Sequence, residues 1–398
     1  MKYTDLIKQV FTVKENEIGS LNGLRSAAII LVLMHHIQPL LKNIPNVNPL
    51  IENFFGNTVS GVDIFFILSG YLISKELQNS WKREGRIDFK DFFLKRSFRI
   101  FPAYYFFLII SLIAYKVMLK APQVQSGPDY GALLEIYQKW PMDFLYMTDY
   151  IKGIHVHTWS LSVEEKYYLI LPFFMHFFYF RLGKTHRLIV LAALYFIPLL
   201  ARLYTFYSTD LAGAGLRIYY THYPLHARFD ALIAGIIIME LHTNWDIIER
   251  IKKIKLIKPS FYIFSAIILF LSHSAENKVN SIFFQVLCYN GFNLGYSLVF
   301  LLCLDTETAA SRIMGFRVFT PIARLSYSIY LWHFLVFVSS ANGSAVFRKI
   351  SQNQPISWIE FGLIAMYGFV SVTVWSFFSY SLIEAPFLYL REKIRKKA

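Results

Sequence analysis

Leu21-Asn22-Gly23-Leu24-Arg25-Ser26-Ala27-Ala28-Ile29-Ile30-Leu31-Val32-Leu33-Met34-His35-His36-Ile37 opens an apolar run of about 20 residues, long enough for a helix to cross a bilayer. It carries one arginine near its start and two histidines near its end. No small-residue cleavage pattern follows before Lys42-Asn43-Ile44-Pro45, so it reads as a retained helix and not as a leader. Comparable segments recur along the chain. Apolar length with Gly, Pro and charge punctuation places ten helices near 22–41, 58–77, 100–119, 159–180, 187–206, 224–242, 259–273, 281–304, 320–340 and 357–388.

The composition agrees. Of 398 residues, 55% are hydrophobic, 18% aromatic and only 17% charged, a balance outside the soluble class. The expectation is an all-α polytopic membrane protein with about ten transmembrane helices, forming a single domain over 1–398 with no appended soluble domain. A cytosolic enzyme or a nucleic-acid-binding module is excluded. The net charge of +14 has another origin: 27 basic residues fall on one set of connecting segments and about 11 on the other. That asymmetry, with an even number of spans, puts both termini in the cytoplasm. The stretch from about 120 to 158 is rich in aromatic and turn residues and reads as a cap on the opposite face.

Ionisable side chains within spans are costly in hydrocarbon and mark the bundle interior or a functional path. Counted inward from the outer ends, His36, Asp63, Glu164, Glu165, Arg228, Asp230 and His333 fall at similar depths, roughly 6–11 Å below the surface. At the cytoplasmic ends Arg25, Lys95, Arg96, Arg99 and Arg324 form a basic layer, with Glu384 opposing them. Eleven helical steps bring Arg25 and His36 to one face about 16 Å apart, while His35 points about 80° away. The first helix thus links the two layers along a common wall.

Cys288 and Cys303 lie in one predicted helix about 22 Å apart, beyond disulfide reach. No His-Glu-x-x-His metal motif and no Gly-x-Ser-x-Gly nucleophile motif is present. Gly291 and Gly295 are spaced for close helix contact, within one chain or between two, and leave the oligomeric state open.

Seven blocks carry a family resemblance. Leu21-Asn22-Gly23-Leu24-Arg25 leading to His36, Gly61-Val62-Asp63-Ile64-Phe65-Phe66-Ile67-Leu68-Ser69-Gly70-Tyr71 and Arg96-Ser97-Phe98-Arg99-Ile100-Phe101-Pro102 come first. His157-Thr158-Trp159-Ser160-Leu161-Ser162-Val163-Glu164-Glu165, Arg228-Phe229-Asp230-Ala231-Leu232, Ser326-Tyr327-Ser328-Ile329-Tyr330-Leu331-Trp332-His333 and Leu382-Ile383-Glu384-Ala385-Pro386 follow. In this order they resemble the integral-membrane acyltransferase-3 family. The resemblance implies transfer of an acyl group, commonly acetyl, from cytoplasmic acetyl-CoA or another acyl-CoA to a hydroxyl of an envelope carbohydrate or glycolipid. No metal is expected, since metal catalysis has no His-Glu-x-x-His support, and the expected location is a bacterial inner (plasma) membrane. Lys166 stands where the family often has glutamine, and His35 precedes the expected histidine.

Under that reading His36 is the general base, because an imidazole titrating near neutrality can take a proton from an attacking hydroxyl. Asp63 and Glu164 would orient it and stabilise its protonated form, or serve instead as structural partners of Arg228. Arg96 and Arg99, one turn apart, with Arg25, would grip the phosphates of coenzyme A. Tyr330, His333 and Trp159 are substrate-binding candidates, the tyrosine hydroxyl as a donor to the thioester carbonyl. The rival reading is a proton-coupled membrane transporter using the same buried charges as a relay, although no inverted repeat is evident.

Overall fold

The computed structural model describes residues 3–13, 17–208, 219–276, 281–341, 345–352 and 354–395. Among these it is helical throughout, with no strand. Ten principal helices occupy the ten expected segments: α1 Gly19–Ile37, α2 Gly61–Glu84, α3 Phe89–Leu119, α4 Trp159–Phe177, α5 Lys184–Ser208, α6 Asp230–Asn244, α7 Ile257–His273, α8 Cys288–Leu304, α9 Phe319–Ala341 and α10 Trp358–Ser379. Parts of both termini counted for the charge asymmetry, including Lys14, Lys396 and Lys397, lie outside the described residues.

Local chemistry sets several boundaries. Asp88 caps α3 by accepting the Asp91 N–H at 2.9 Å, and α2 ends at Gly85, whose φ of 66° few other residues adopt readily. At α10, Ser357 and Glu360 form a reciprocal capping box. A π-helical turn, Tyr380–Glu384, then leads into a final helix, Ala385–Arg395, and brings the Glu384 carboxylate onto the Ser328 hydroxyl of α9.

Six helical stretches are long and apolar enough to cross a membrane: Gly19–Asn43, Pro49–Glu84, Phe89–Leu119, Lys184–Ser208, Phe283–Leu304 and Trp358–Ile394. The chain is therefore an integral membrane protein. Among the described residues four of the ten helices fall outside this count: α4 carries Glu164, Glu165 and Lys166 in succession, α6 and α7 are only 15 and 17 residues long, and α9 carries Arg324, Ser326, Ser328 and His333 along its apolar run. Of these helices, α4, α6 and α9 carry Glu164, Asp230 and His333 inward, beside polar groups from α1, α2, α3 and α5.

The tightest crossing joins α2 to α6. A Cβ on Gly70 would meet the Leu232 carbonyl and come to 3.0 Å of Gly235 Cα, while one on Gly235 would lie 2.6 Å from the Tyr71 nitrogen. Helix backbones approach this closely only where side chains are absent. Gly235→Ala is expected to destabilise the protein by ~1–3 kcal/mol through overpacking, read as a lower melting temperature in detergent. Gly291 and Gly295 serve an intrachain contact, facing Ser272 and Leu269 of α7.

Two fully buried ion pairs tie the bundle together beside that crossing. Arg228 donates to Asp63 at 2.6 Å, and Arg202 donates to Asp230 at 2.8 Å and to Asn290 at 2.7 Å. Charges removed from water need such partners.

Candidate functional site

Two cavities meet at Tyr330. The first, of about 390 Å³, is lined by one face each of α1, α2, α3, α4 and α9. On α4, Ser160, Glu164 and Tyr168 recur every fourth residue and therefore share a face. Opposite them stand Arg25 of α1 and both Arg96 and Arg99 of α3.

The three arginines are not equivalent. Arg96 is held by Glu76, which also accepts from Lys95 at 3.0 Å, and its guanidinium lies over the rings of Phe92 and Tyr168. Arg25 and Arg99 make no ion pair or hydrogen bond among the described residues, and both border the cavity. Arg324, the remaining basic group of the expected layer's α9 end, is occupied by Glu17. Two uncommitted guanidiniums on one cavity wall offer donors to an anionic ligand, for which their planar geometry suits phosphate.

The second cavity, about 180 Å³, is lined by imidazoles: His35, His36, His155, His157 and His222, together with Trp159. His36 Nδ1 lies 2.8 Å from the Val32 carbonyl of its own helix. A carbonyl only accepts, so Nδ1 carries the proton and Nε2 of the neutral ring keeps its lone pair. That tautomer is the one a general base needs. His35, on another face, directs Nδ1 to the Gly56 carbonyl at 3.0 Å.

His333 of α9 packs against His36, with ring centroids 4.5 Å apart, and against His157 at 5.0 Å. Its Nδ1 is fixed to the Tyr330 carbonyl at 2.7 Å. Among the described residues, Nε2 of His333 and Nε2 of His157 are buried without a hydrogen-bond partner. Unmet polar atoms at a buried site invite a ligand or water.

The loop bearing His155 and His157 is held by Asp143, which accepts the Ile154 N–H at 2.7 Å and the His155 N–H at 3.2 Å. Burial pushes the Asp143 carboxyl up to about 6, against the lowering effect of those backbone bonds.

Tyr330 and Val62 border both cavities. The Tyr330 hydroxyl donates to the His157 carbonyl at 2.6 Å and lies 2.6 Å from Ser160 Oγ, which must then be the donor to it. Its single proton is thus committed to the protein. The tyrosine stands as a partition between the arginine and imidazole cavities.

The other expected residues fall as follows. Trp159 borders the imidazole cavity and lies under Arg228, whose guanidinium carbon is 5.3 Å from the ring centroid. Asp63 is bound by Arg228, and Glu164 accepts from Ser69 at 2.5 Å within the arginine cavity. The structure brings neither carboxylate to His36; its ring neighbours are His35, His333 and Phe334. Sequence reasoning passed over His157, Ser69 and Tyr168 as site residues. His157 and Ser69 lie inside quoted motif blocks, but only the fold turns them inward. Among the described residues no group of three or more His, Cys, Asp or Glu is arranged to hold a metal ion.

These features define a helical integral membrane protein with a divided polar site inside its bundle. A family model described as "Acyltransferase domain" matches residues 18–380, and the chain belongs to that acyltransferase family. Among similar proteins is O-acetyltransferase OatA of Staphylococcus aureus (strain NCTC 8325 / PS 47), 23% identical over 337 residues, covering 81% of this chain and 51% of that protein. Another is peptidoglycan O-acetyltransferase OatA of Listeria monocytogenes serovar 1/2a (strain ATCC BAA-679 / EGD-e), 25% identical over 342 residues, covering 82% of this chain and 50% of that protein. The chain thus spans about half the length of these curated relatives. No solved structure matches it.

Proposed function

We propose that the protein is a membrane O-acyltransferase that moves an acyl group, acetyl foremost, from cytoplasmic acyl-CoA to a hydroxyl of an extracytoplasmic carbohydrate. The observation that carries this reading is the junction at Tyr330, where a cavity with two uncommitted arginines adjoins one holding an imidazole in the basic tautomer. The names of the relatives support acetyl as the group and a peptidoglycan-type glycan as the acceptor class. They lend nothing to the transporter alternative. In this proposal all ten helices span, both termini are cytoplasmic, and the membrane is the bacterial plasma membrane.

The chemistry then follows from the residues. Arg25 and Arg99 hold the donor's phosphates, with Arg96 kept in place by Glu76. The thioester reaches the Tyr330 partition. His36 Nε2 takes the proton of the acceptor hydroxyl as its oxygen attacks the thioester carbon; the new ester forms, the carbon–sulfur bond breaks, and the coenzyme thiolate leaves. The proton on His36 is lost to the thiolate or to solvent. His333, in ring contact with His36, helps hold the imidazole in place. Glu164 and Ser69 shape the donor side, Asp63 acts through Arg228, and Trp159 offers a ring face to the acceptor.

Purified protein supplied with acetyl-CoA and glycan fragments tests this: labelled acetyl should appear in ester linkage on the glycan, and movement of glycan without acyl transfer would oppose it. Replacing Arg99 by alanine is expected to raise KM for acetyl-CoA roughly 10- to 100-fold with little change in kcat, since it removes charge-assisted hydrogen bonds to the donor and not to the reacting atoms. Initial-rate kinetics over a range of donor concentration would read the split.

A further inference from the structure

A third cavity adjoins the site and differs from both others in kind. It is a cleft of about 370 Å³, within the range of small-molecule pockets, between α1 and α10 and floored by α9. Ile30, Leu33 and Ile37 of α1 face Ile364, Ala365 and Val372 of α10 across it. Among the described residues the only polar side chains in its wall are His36 and His333. Its shape owes something to Gly368, where a Cβ would run into the Phe337 ring.

Along the same helix Leu363, Met366 and Val370 are exposed, an apolar surface that belongs against lipid chains. A cleft lined by hydrocarbon, opening beside such a surface and ending at two imidazoles, is suited to a hydrocarbon chain whose head must reach those imidazoles.

Its connections indicate which substrate brings the chain. The cleft shares His36 and Phe334 with the imidazole cavity and shares no lining residue with the arginine cavity. A chain lying in it is therefore continuous with the acceptor side, not with the proposed coenzyme side. We infer that this cleft binds the hydrocarbon chain of a lipid that carries the acceptor sugar, so that the acceptor enters sideways from the bilayer with its hydroxyl at His36. The inference rests on the assignment of donor and acceptor sides made above.

The test compares two acceptors, methyl and dodecyl N-acetylglucosaminide, with acetyl-CoA and protein in phospholipid nanodiscs. Ala365→Phe, which fills the cleft, should lower the ratio of dodecyl to methyl glycoside acetylation at least about tenfold. Leu363→Phe, on the lipid-facing side of the same helix, should leave that ratio as in wild type. An unchanged ratio in the Ala365 variant overturns the inference. Binding is read independently of activity with a dodecyl glucosaminide bearing a terminal diazirine. Labelling of the peptides around 30–37 and 364–372, suppressed by unlabelled dodecyl glycoside and not by dodecanoyl-CoA, is the expected result. Labelling elsewhere overturns it, as does suppression by dodecanoyl-CoA alone, or equal labelling by a diazirine phosphatidylcholine that the glycoside does not displace. Should neither acceptor be acetylated by wild type while labelling holds, the proposed reaction fails and the chain site stands.

Discussion

Replacement of His36 by alanine is expected to lower acyl transfer by ~10²–10⁴-fold, the usual contribution of a positioned general base. The loss should fall on kcat, with KM for acyl-CoA little changed, because the uncommitted arginines lie in the other cavity. His36→Gln should be as inactive as the alanine variant, since an amide can hold a hydrogen bond to the Val32 carbonyl but cannot accept the proton. His35→Ala is the informative companion. That ring is tied to the Gly56 carbonyl and serves to fix the short helix Pro49–Asn57, so its loss should cost stability more than kcat. Stopped assays on detergent-purified protein, with melting temperatures beside them, separate the two outcomes. Equal and complete loss of turnover in both variants, at unchanged melting temperature, would contradict the assignment to His36.

The second large effect is structural. Asp63→Asn leaves Arg228 charged and buried with its salt bridge broken, and loss of one partner of such a pair costs about 3–5 kcal/mol. Arg228 also lies 4.3 Å from the Tyr289 ring centroid and bonds weakly to His222 at 3.3 Å, so its displacement would reach the wall of the imidazole cavity. A drop of that size should appear in thermal unfolding and in the yield of folded protein. The double replacement Asp63→Leu with Arg228→Met removes both charges and is expected to recover most of the stability, because a buried ion pair exchanged for apolar groups is often neutral or better. If Asp63→Asn keeps the wild-type melting temperature but abolishes turnover, the carboxylate has a direct chemical role that its pairing with Arg228 does not account for.

How much of this was legible beforehand depends on the range of the interaction. The ten helical segments follow from apolar length and punctuation, which are local. The relation between Arg25 and His36 follows from helix geometry within one element. Glu164 shows where such reasoning stops. Counting residues from the end of its segment set it level with His36, as if all helices ran straight from a common plane. In the fold its position on α4, at the fourth-residue spacing of Ser160 and Tyr168, turns it onto the arginine cavity instead. Asp63 had two readings, and choosing between them needed the α2–α6 crossing at Gly70 and Gly235 that delivers Arg228. His157 lies at the end of a loop whose course is set by Asp143, a long-range anchor with no periodic signature. The apolar cleft was beyond reach for the same reason: its two walls are some 330 residues apart in sequence, and only α9, packing on both, makes them one surface.

The most direct measurement places donor and acceptor in different compartments. Protein is reconstituted into sealed vesicles with its arginine-bearing ends outward, glycan acceptor is trapped inside, and labelled acetyl-CoA is added outside. Label on the trapped glycan, coenzyme A thiol released outside, and loss of both with His36→Ala are the results that donor and acceptor meeting across the Tyr330 partition require. Acetylation only when donor and acceptor share one compartment would contradict that meeting and the division of the site into two sides.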